Sequence, residues 1–249
     1  MQESILIIGA GVMGQRLARH FLRAGHPVAL LDNSQQSLDK AAGFFGEQPE
    51  GIRPELLPGL HALPAGWHNA ALVIEAVPEN LALKQRVLAE VEQAVSPQTL
   101  LVSNTSGLTT ADLTRNLQRP GQFAITHFFN PADLIPVVEV IASTSMPAET
   151  LNALAGLLER SGKMPVILRK EVPGFIANRV QHALMRECFD LLEQGVADVQ
   201  DLDTIIRYAL GVRLALTGPF EQRDLNGLDT HLNIARYLYP ALSTMQEPP

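Results

Sequence analysis

The first 32 residues constrain this chain more than any other part of it. Ile5-Leu6-Ile7-Ile8 is an unbroken apolar run leading into Gly9-Ala10-Gly11-Val12-Met13-Gly14. Helical spacing follows through Val12, Leu17, Phe21 and Leu22, and a second apolar run, Val28-Ala29-Leu30-Leu31, ends at Asp32. Apolar runs without alternation suit strands buried on both faces, and a helix joining two of them through short connections makes a parallel pair. Gly9 permits a tight turn, Gly11 lets the backbone approach a pyrophosphate, and Gly14 lets helix and strand pack closely. The helix N-terminus adds free N–H groups and a partial positive charge. Asp32 stands where a carboxylate accepts hydrogen bonds from both ribose hydroxyls. The same carboxylate repels a 2′-phosphate and no Arg follows it immediately, so the pattern predicts NAD rather than NADP.

The rest of the chain extends this grammar. A helix is expected over 34–45, a Pro- and Gly-rich loop over 47–66, strands at 72–74 and 100–102, and a helix over 81–94. Runs at 123–126, 137–141 and 165–168 extend the parallel sheet, with a helix over 148–160. After Lys170-Glu171-Val172-Pro173-Gly174 no strand-like run recurs. Helical periodicity takes over from 175 to 193, Gly195 and Gly211 read as helix stops, and Asp198 or Asp201 as a cap. The expected fold class is α/β, with a Rossmann-type NAD-binding domain at 1–171 followed by an all-helical C-terminal domain at 172–249. Only the tail, 246–249, reads as disordered.

Bulk properties exclude several functions. The net charge of −7, with no basic run to follow a phosphate backbone, argues against a nucleic-acid partner. No apolar stretch approaches the roughly 20 residues that span a bilayer, and no basic segment precedes the first strand, so a soluble cytoplasmic protein is expected. The one cysteine, Cys188, lies in an apolar-periodic stretch and is expected to be a buried, unreactive small hydrophobe. No metal site is expected.

Four further segments carry functional residue types. They are Glu75-Ala76-Val77-Pro78-Glu79-Asn80 with Lys84; Ser103-Asn104-Thr105-Ser106-Gly107; His127-Phe128-Phe129-Asn130-Pro131 with Glu139; and Pro173-Gly174-Phe175-Ile176-Ala177-Asn178-Arg179. The first three follow expected strands, and in open α/β sheets ligands bind beyond the carboxyl ends of the strands. Oxidation of an alcohol by NAD needs a base for the hydroxyl proton, and His is the side chain poised for this near neutral pH. His127 is the candidate. His20, His26, His61, His68, His182 and His231 lack comparable surroundings and are read as structural.

Together these segments, with Gly218-Pro219-Phe220-Glu221 and Gly227-Leu228-Asp229, resemble the L-3-hydroxyacyl-CoA dehydrogenases and their relatives, from the first strand to about Tyr239. The resemblance implies His127 as general base, Glu139 as the carboxylate orienting its ring, and Ser106 and Asn178 as hydrogen-bond partners of the substrate oxygens. It places Glu79, Lys84, Asn104 and Asn130 along the cofactor, beside Gly9, Gly11, Gly14 and Asp32. It implies oxidation of the 3-hydroxyl of an L-3-hydroxyacyl-CoA, and a homodimer formed through the helical domain.

The chain departs from that family in two places. The segment that supplies Ser and Lys contacts to CoA in the acyl-CoA enzymes is shortened here to 33–69, with only Lys40 and Arg53 basic. The family's Gly-rich, aromatic segment beyond the equivalent of Pro249 is not matched, which fits either a shortened chain or a member without that tail. Ser103 to Leu108 and Arg169 to Phe175 are similar to dehydrogenases of free 3-hydroxy acids such as carnitine and gulonate, so a free acid is the alternative substrate. A 6-phosphogluconate or 3-hydroxyisobutyrate type site needs Lys and Asn close together on one helix, whereas Pro173 and Gly174 separate Lys170 from Asn178. A non-catalytic relative, like the crystallins of this family, would have lost catalytic residues that are all present here.

Overall fold

The computed structural model describes residues 3–46 and 53–248 and divides into two compact units, Met1–Phe175 and Ile176–Pro249. In the first unit β1 (Ile5–Ile8), α1 (Val12–Arg23), β2 (Val28–Leu31), α2 (Gln35–Gly46) and β3 (Glu55–Leu57) form the opening half. β4 (Leu72–Glu75), α3 (Leu81–Ala94), β5 (Leu100–Ser103), α4 (Thr110–Leu113), β6 (Phe123–Phe128), β7 (Val137–Ala142), α5 (Ala148–Arg160) and β8 (Met164–Ile167) complete it. The eight strands form one sheet in the order β3-β2-β1-β4-β5-β6-β7-β8. The chain therefore reverses direction of travel between β1 and β4, which opens a crevice at their carboxyl ends.

Strand residues divide between two cores according to the two-residue period of the sheet. Ile5, Ile7, Leu30, Leu72, Ile74 and Val102 pack with Leu17 and Phe21 of α1 and with Leu154 and Leu157 of α5. Leu6, Ile8, Leu31, Val73 and Leu101 pack with Leu88 and Val91 of α3 on the other side. This double burial is why the strands read as unbroken apolar runs. The burial fails at β8, where Met164, Val166 and Ile167 are exposed; Pro165, which cannot donate to a ladder, is tolerated on this edge strand.

Two expectations for this unit need correction or restriction. The sheet is not wholly parallel, since β7 runs antiparallel to β6; an apolar run carries no information about strand direction. The 47–66 stretch is not all loop, because Glu55–Leu57 pairs with β2 and short 3-10 turns occupy Leu60–Ala62 and Ala65–Asn69. Its first part, 47–52, lies outside the described residues.

The second unit is helical throughout: α6 (Ala177–Glu193), α7 (Val199–Ile205), α8 (Val212–Leu216), α9 (Pro219–Asn226) and α10 (Leu228–Leu238). Gly195, at φ +68, ends α6, and the Asp198 side chain caps α7 by accepting from the Asp201 N–H at 2.8 Å. Gly211 does not stop a helix. It sits at φ −57 and ψ −45 in a π-helical segment, Ile206–Gly211, that joins α7 to α8, and a helix tolerates glycine there at a cost of about 1 kcal/mol. Cys188 is half-buried rather than buried, because no described residue from Ile176 onward is fully buried. Among the described residues no helix is long and apolar enough to cross a membrane, and no group of three metal-ligating side chains forms.

Candidate active site

The crevice begins at the turn after β1. Gly9 has φ +110, and a Cβ there would lie 2.6 Å from the Ala76 carbonyl oxygen, so the loops after β1 and β4 approach as closely as glycine allows. A Cβ on Gly14 would lie 1.8 Å from the Gly9 carbonyl, which makes this glycine the condition for α1 to pack on its strand. Gly11, the N-cap of α1, faces open space, and the first turn of the helix carries no acidic residue. This leaves bare N–H groups for an anion. The Asp32 carboxylate is fixed at both oxygens, by the N–H of Ala10 and the N–H of Ser34, each at 2.8 Å. A cavity of about 760 Å³ runs along these residues, lined among others by Gly9, Gly11, Asp32, Val77 and Leu83. Space at Gly11, free N–H groups and a preset carboxylate lining the same cavity fit the two halves of a dinucleotide.

β4 and β5 deliver a buried polar network to the same edge. Glu75 and Ser103 are paired across the ladder, and the Ser103 hydroxyl donates to Glu75 Oε2 at 2.5 Å. Lys84, only 1% exposed, donates to both Glu75 oxygens at 2.8 and 3.0 Å and to the Val77 carbonyl at 3.1 Å. Its ammonium is thus committed to protein partners. It also lies 3.4 Å from Glu79, whose exposed carboxylate accepts from the Thr105 hydroxyl and from the Ser106 N–H at 3.2 Å. Ser106 itself is exposed on the loop after β5. Asn104 accepts from the Phe128 N–H at 3.0 Å and so ties that loop to the residue after His127.

β6 and β7 then set the most sharply defined pair. The antiparallel register puts His127 opposite Glu139, and Nδ1 lies 2.7 Å from Glu139 Oε2, with the two residues 5% and 3% exposed. An ionised carboxylate only accepts, so this contact assigns the proton to Nδ1 and leaves the Nε2 lone pair for another partner. The ring meets Phe129 edge-on, centroids 4.7 Å apart, and Phe175 at a tilt, 5.5 Å apart. Phe175 is 1% exposed at φ +50, a strained backbone for a non-glycine residue, which places its ring beside the imidazole.

The loop after β6 carries Asn130, exposed and joined to Pro131 by a cis peptide bond. It is anchored by charges that carried no sequence signal. The fully buried Asp133 carboxylate accepts from Arg16 at 3.0 Å and from Arg19, both on α1. Burial opposes its ionisation, but the two guanidiniums outweigh this and hold its pKa below the ordinary value of 3.8. Lys163 donates to the carbonyls of Ala132 and Ile135 at 2.5 and 2.7 Å, and burial lowers its pKa. The helix at the glycine turn and the loop beside His127 are thereby braced together.

Of the residues singled out in the sequence, those on β1, β4, β5 and β6 or the loops after them gather along one edge of the sheet, and Glu139 joins His127 from β7. Asn178 belongs to the second unit, in the first turn of α6. Glu75, Ser103, Thr105, Asp133 and Lys163 were given no role by sequence reasoning.

Comparison with known proteins agrees with this fold. Residues 4–52 and 60–172 match the NAD binding domain of 3-hydroxyacyl-CoA dehydrogenase, and 174–249 match its C-terminal domain. A 5-formyl-3-hydroxy-2-methylpyridine 4-carboxylate 5-dehydrogenase of Mesorhizobium japonicum is 32% identical, over 99% of this chain and 83% of its own. An L-carnitine dehydrogenase of Bacillus cereus is 34% identical, over 90% and 72%. The crystal structure of a 5-formyl-3-hydroxy-2-methylpyridine 4-carboxylic acid 5-dehydrogenase, described as an NAD+ dependent dismutase, superposes with a TM-score of 0.91 at 31% identity, covering 100% of this chain and 84% of that one. The chain therefore belongs to the 3-hydroxyacyl-CoA dehydrogenase family and is an NAD-dependent oxidoreductase acting on CH–OH groups.

Proposed function

We propose that this protein oxidises the hydroxyl of a small free acid, with His127 as general base and Glu139 as the residue that orients it. The observation that carries the reading is the 2.7 Å contact between two nearly buried side chains at the sheet edge that also holds the dinucleotide crevice. The Gly9–Gly14 turn and Asp32 would hold NAD, which would supply the hydride acceptor. Nε2 of His127 takes the hydroxyl proton, and Glu139 stabilises the imidazolium that results. The apolar rings of Phe129 and Phe175 keep the imidazole from turning. Ser106, Asn104 and Asn130 supply polar groups to substrate and cofactor. Glu79, held by Thr105 and by Lys84, fixes the Ser106 N–H.

A free acid is favoured over a CoA ester for two reasons. Where the acyl-CoA enzymes carry a helical arm, the described residues between α2 and β4 form a three-residue strand and two 3-10 turns. Arg53 is the one Lys or Arg in 53–71, too little positive charge for the phosphates of CoA. The relatives named for pyridine carboxylate and carnitine also act on compounds other than CoA esters. The segment His127 to Pro131, shared with the acyl-CoA branch, supports the 3-hydroxyacyl-CoA ester as the second reading. NAD reduction measured with free L-3-hydroxybutyrate, carnitine and gulonate beside L-3-hydroxybutyryl-CoA separates the two. Turnover of a free acid and none of the ester is the expected result; turnover of the ester alone overturns the free-acid reading.

We also propose a homodimer formed through the helical unit, since that unit leaves Leu216, Phe220 and Leu225 at 81%, 83% and 75% exposure.

A further inference from the structure

The segment that stands where the family has its arm is built into the wall of the dinucleotide cavity. β3 pairs with β2 in parallel, Leu57 beside Leu31, and the Leu57 carbonyl accepts from the Asp32 N–H at 3.2 Å. The chain thus leaves β3 next to the carboxylate at the ribose position. It turns at Gly59, whose φ is +135 and whose Cβ, if present, would lie 2.6 Å from the Asn33 side-chain oxygen. Only glycine lets this turn close against the β2 loop. Leu60 then packs on the core, and Gly59, Leu60 and His61 all line the cavity. Val77, Leu83 and Val87 line the same cavity. The family match breaks off at 52 and resumes at 60, so β3 and Gly59 lie outside it while Leu60 and His61 lie within it.

We infer that the turn Gly59-Leu60-His61 is the adenine-binding wall of the NAD site, with the His61 imidazole stacking on the purine. The inference rests on NAD as the ligand of this cavity and is independent of which alcohol is oxidised. A cavity lined by aliphatic side chains and an imidazole, with the Asp32 carboxylate among its lining residues, suits a flat aromatic base. His61 is exposed, so its removal leaves the core intact, and base–aromatic stacking sets the scale of the effect.

The test is calorimetric binding of ADP-ribose and of nicotinamide mononucleotide to wild type, His61→Ala and His61→Phe. ADP-ribose is expected to bind His61→Ala at least about fivefold more weakly, His61→Phe is expected to recover most of the loss, and mononucleotide binding is expected to be unchanged. Unaltered ADP-ribose affinity in His61→Ala would overturn the inference, and so would an equal loss for both ligands, which would mark general damage. Wild-type binding of ADP-ribose with no turnover of any alcohol would count against the proposed reaction and leave this test standing.

Discussion

The two units of the chain solve the burial problem differently. In the first, Ile5, Leu6, Ile7, Leu17, Phe21 and Leu30 are all wholly inaccessible, and even charged side chains are enclosed, Glu75 with Lys84 and Asp133 with Arg16 and Arg19. In the second, no described residue is fully buried, although its helices carry as regular an apolar pattern. A sheet covered by helices on both faces closes its own core. A set of helices this short has too little interior to cover every apolar face, and the remainder is the surface offered to the proposed second copy. Chemistry that depends on an atom held to a few tenths of an ångström belongs in the first kind of structure, which is where His127 lies.

The largest expected effect falls on the buried pair. Glu139→Gln is expected to lower turnover about a hundredfold or more, because an amide neither fixes the tautomer of His127 nor stabilises its charged form. Near-normal turnover would remove Glu139 from the mechanism. On the other side of the comparison, the wild-type protein is expected to sediment as a dimer at micromolar concentration. Leu216→Asp combined with Phe220→Asp is expected to shift it to monomer. A wild-type monomer would show that the exposed helical surface is not covered by a second copy.

A smaller effect is expected from Asp133→Asn, which leaves two partly buried guanidiniums facing an amide. A loss of about 1–3 kcal/mol in denaturant unfolding is expected, with a raised KM for NAD because α1 and the Asn130 loop are no longer braced. The ionised Asp133 contributes above its ordinary pKa of 3.8, and the contribution disappears as the pH falls below that value.

The smallest effect concerns His20. Burial, and then repulsion by Lys163, lower its pKa from 6.5 to about 4, while Asp133 acts in the opposite direction. The unfolded chain takes up this proton first, so His20 favours the folded state fully above pH 6.5 and progressively less as the pH drops toward 4. Replacing His20 by Phe is expected to flatten part of the fall in melting temperature between pH 7 and pH 4.5. An identical pH dependence in the variant would contradict the assignment.

The first unit was largely legible because its strands are buried on both faces and its helices begin and end on ordinary signals. α3 and α5 fall on their expected bounds. β3 was hidden because three residues between Pro54 and Pro58, the first of them charged, show no periodicity. The antiparallel step from β6 to β7 was hidden because burial does not depend on strand direction. His127 and Glu139 were legible from residue type and resemblance, and their contact required the register of two strands 12 positions apart. Asp133 and Lys163 were not legible: each pairs with groups far off in sequence, and neither has a local pattern. His61 has no local signal for the same reason, since only the pairing of β3 with β2 brings it to the cavity.

His127→Ala, assayed with whichever free acid the wild type oxidises best and titrated with NAD in a calorimeter, tests the role of the base most directly. Turnover is expected to fall by at least about a hundredfold with NAD affinity close to wild type. Turnover within a few-fold of wild type would contradict His127 as the general base.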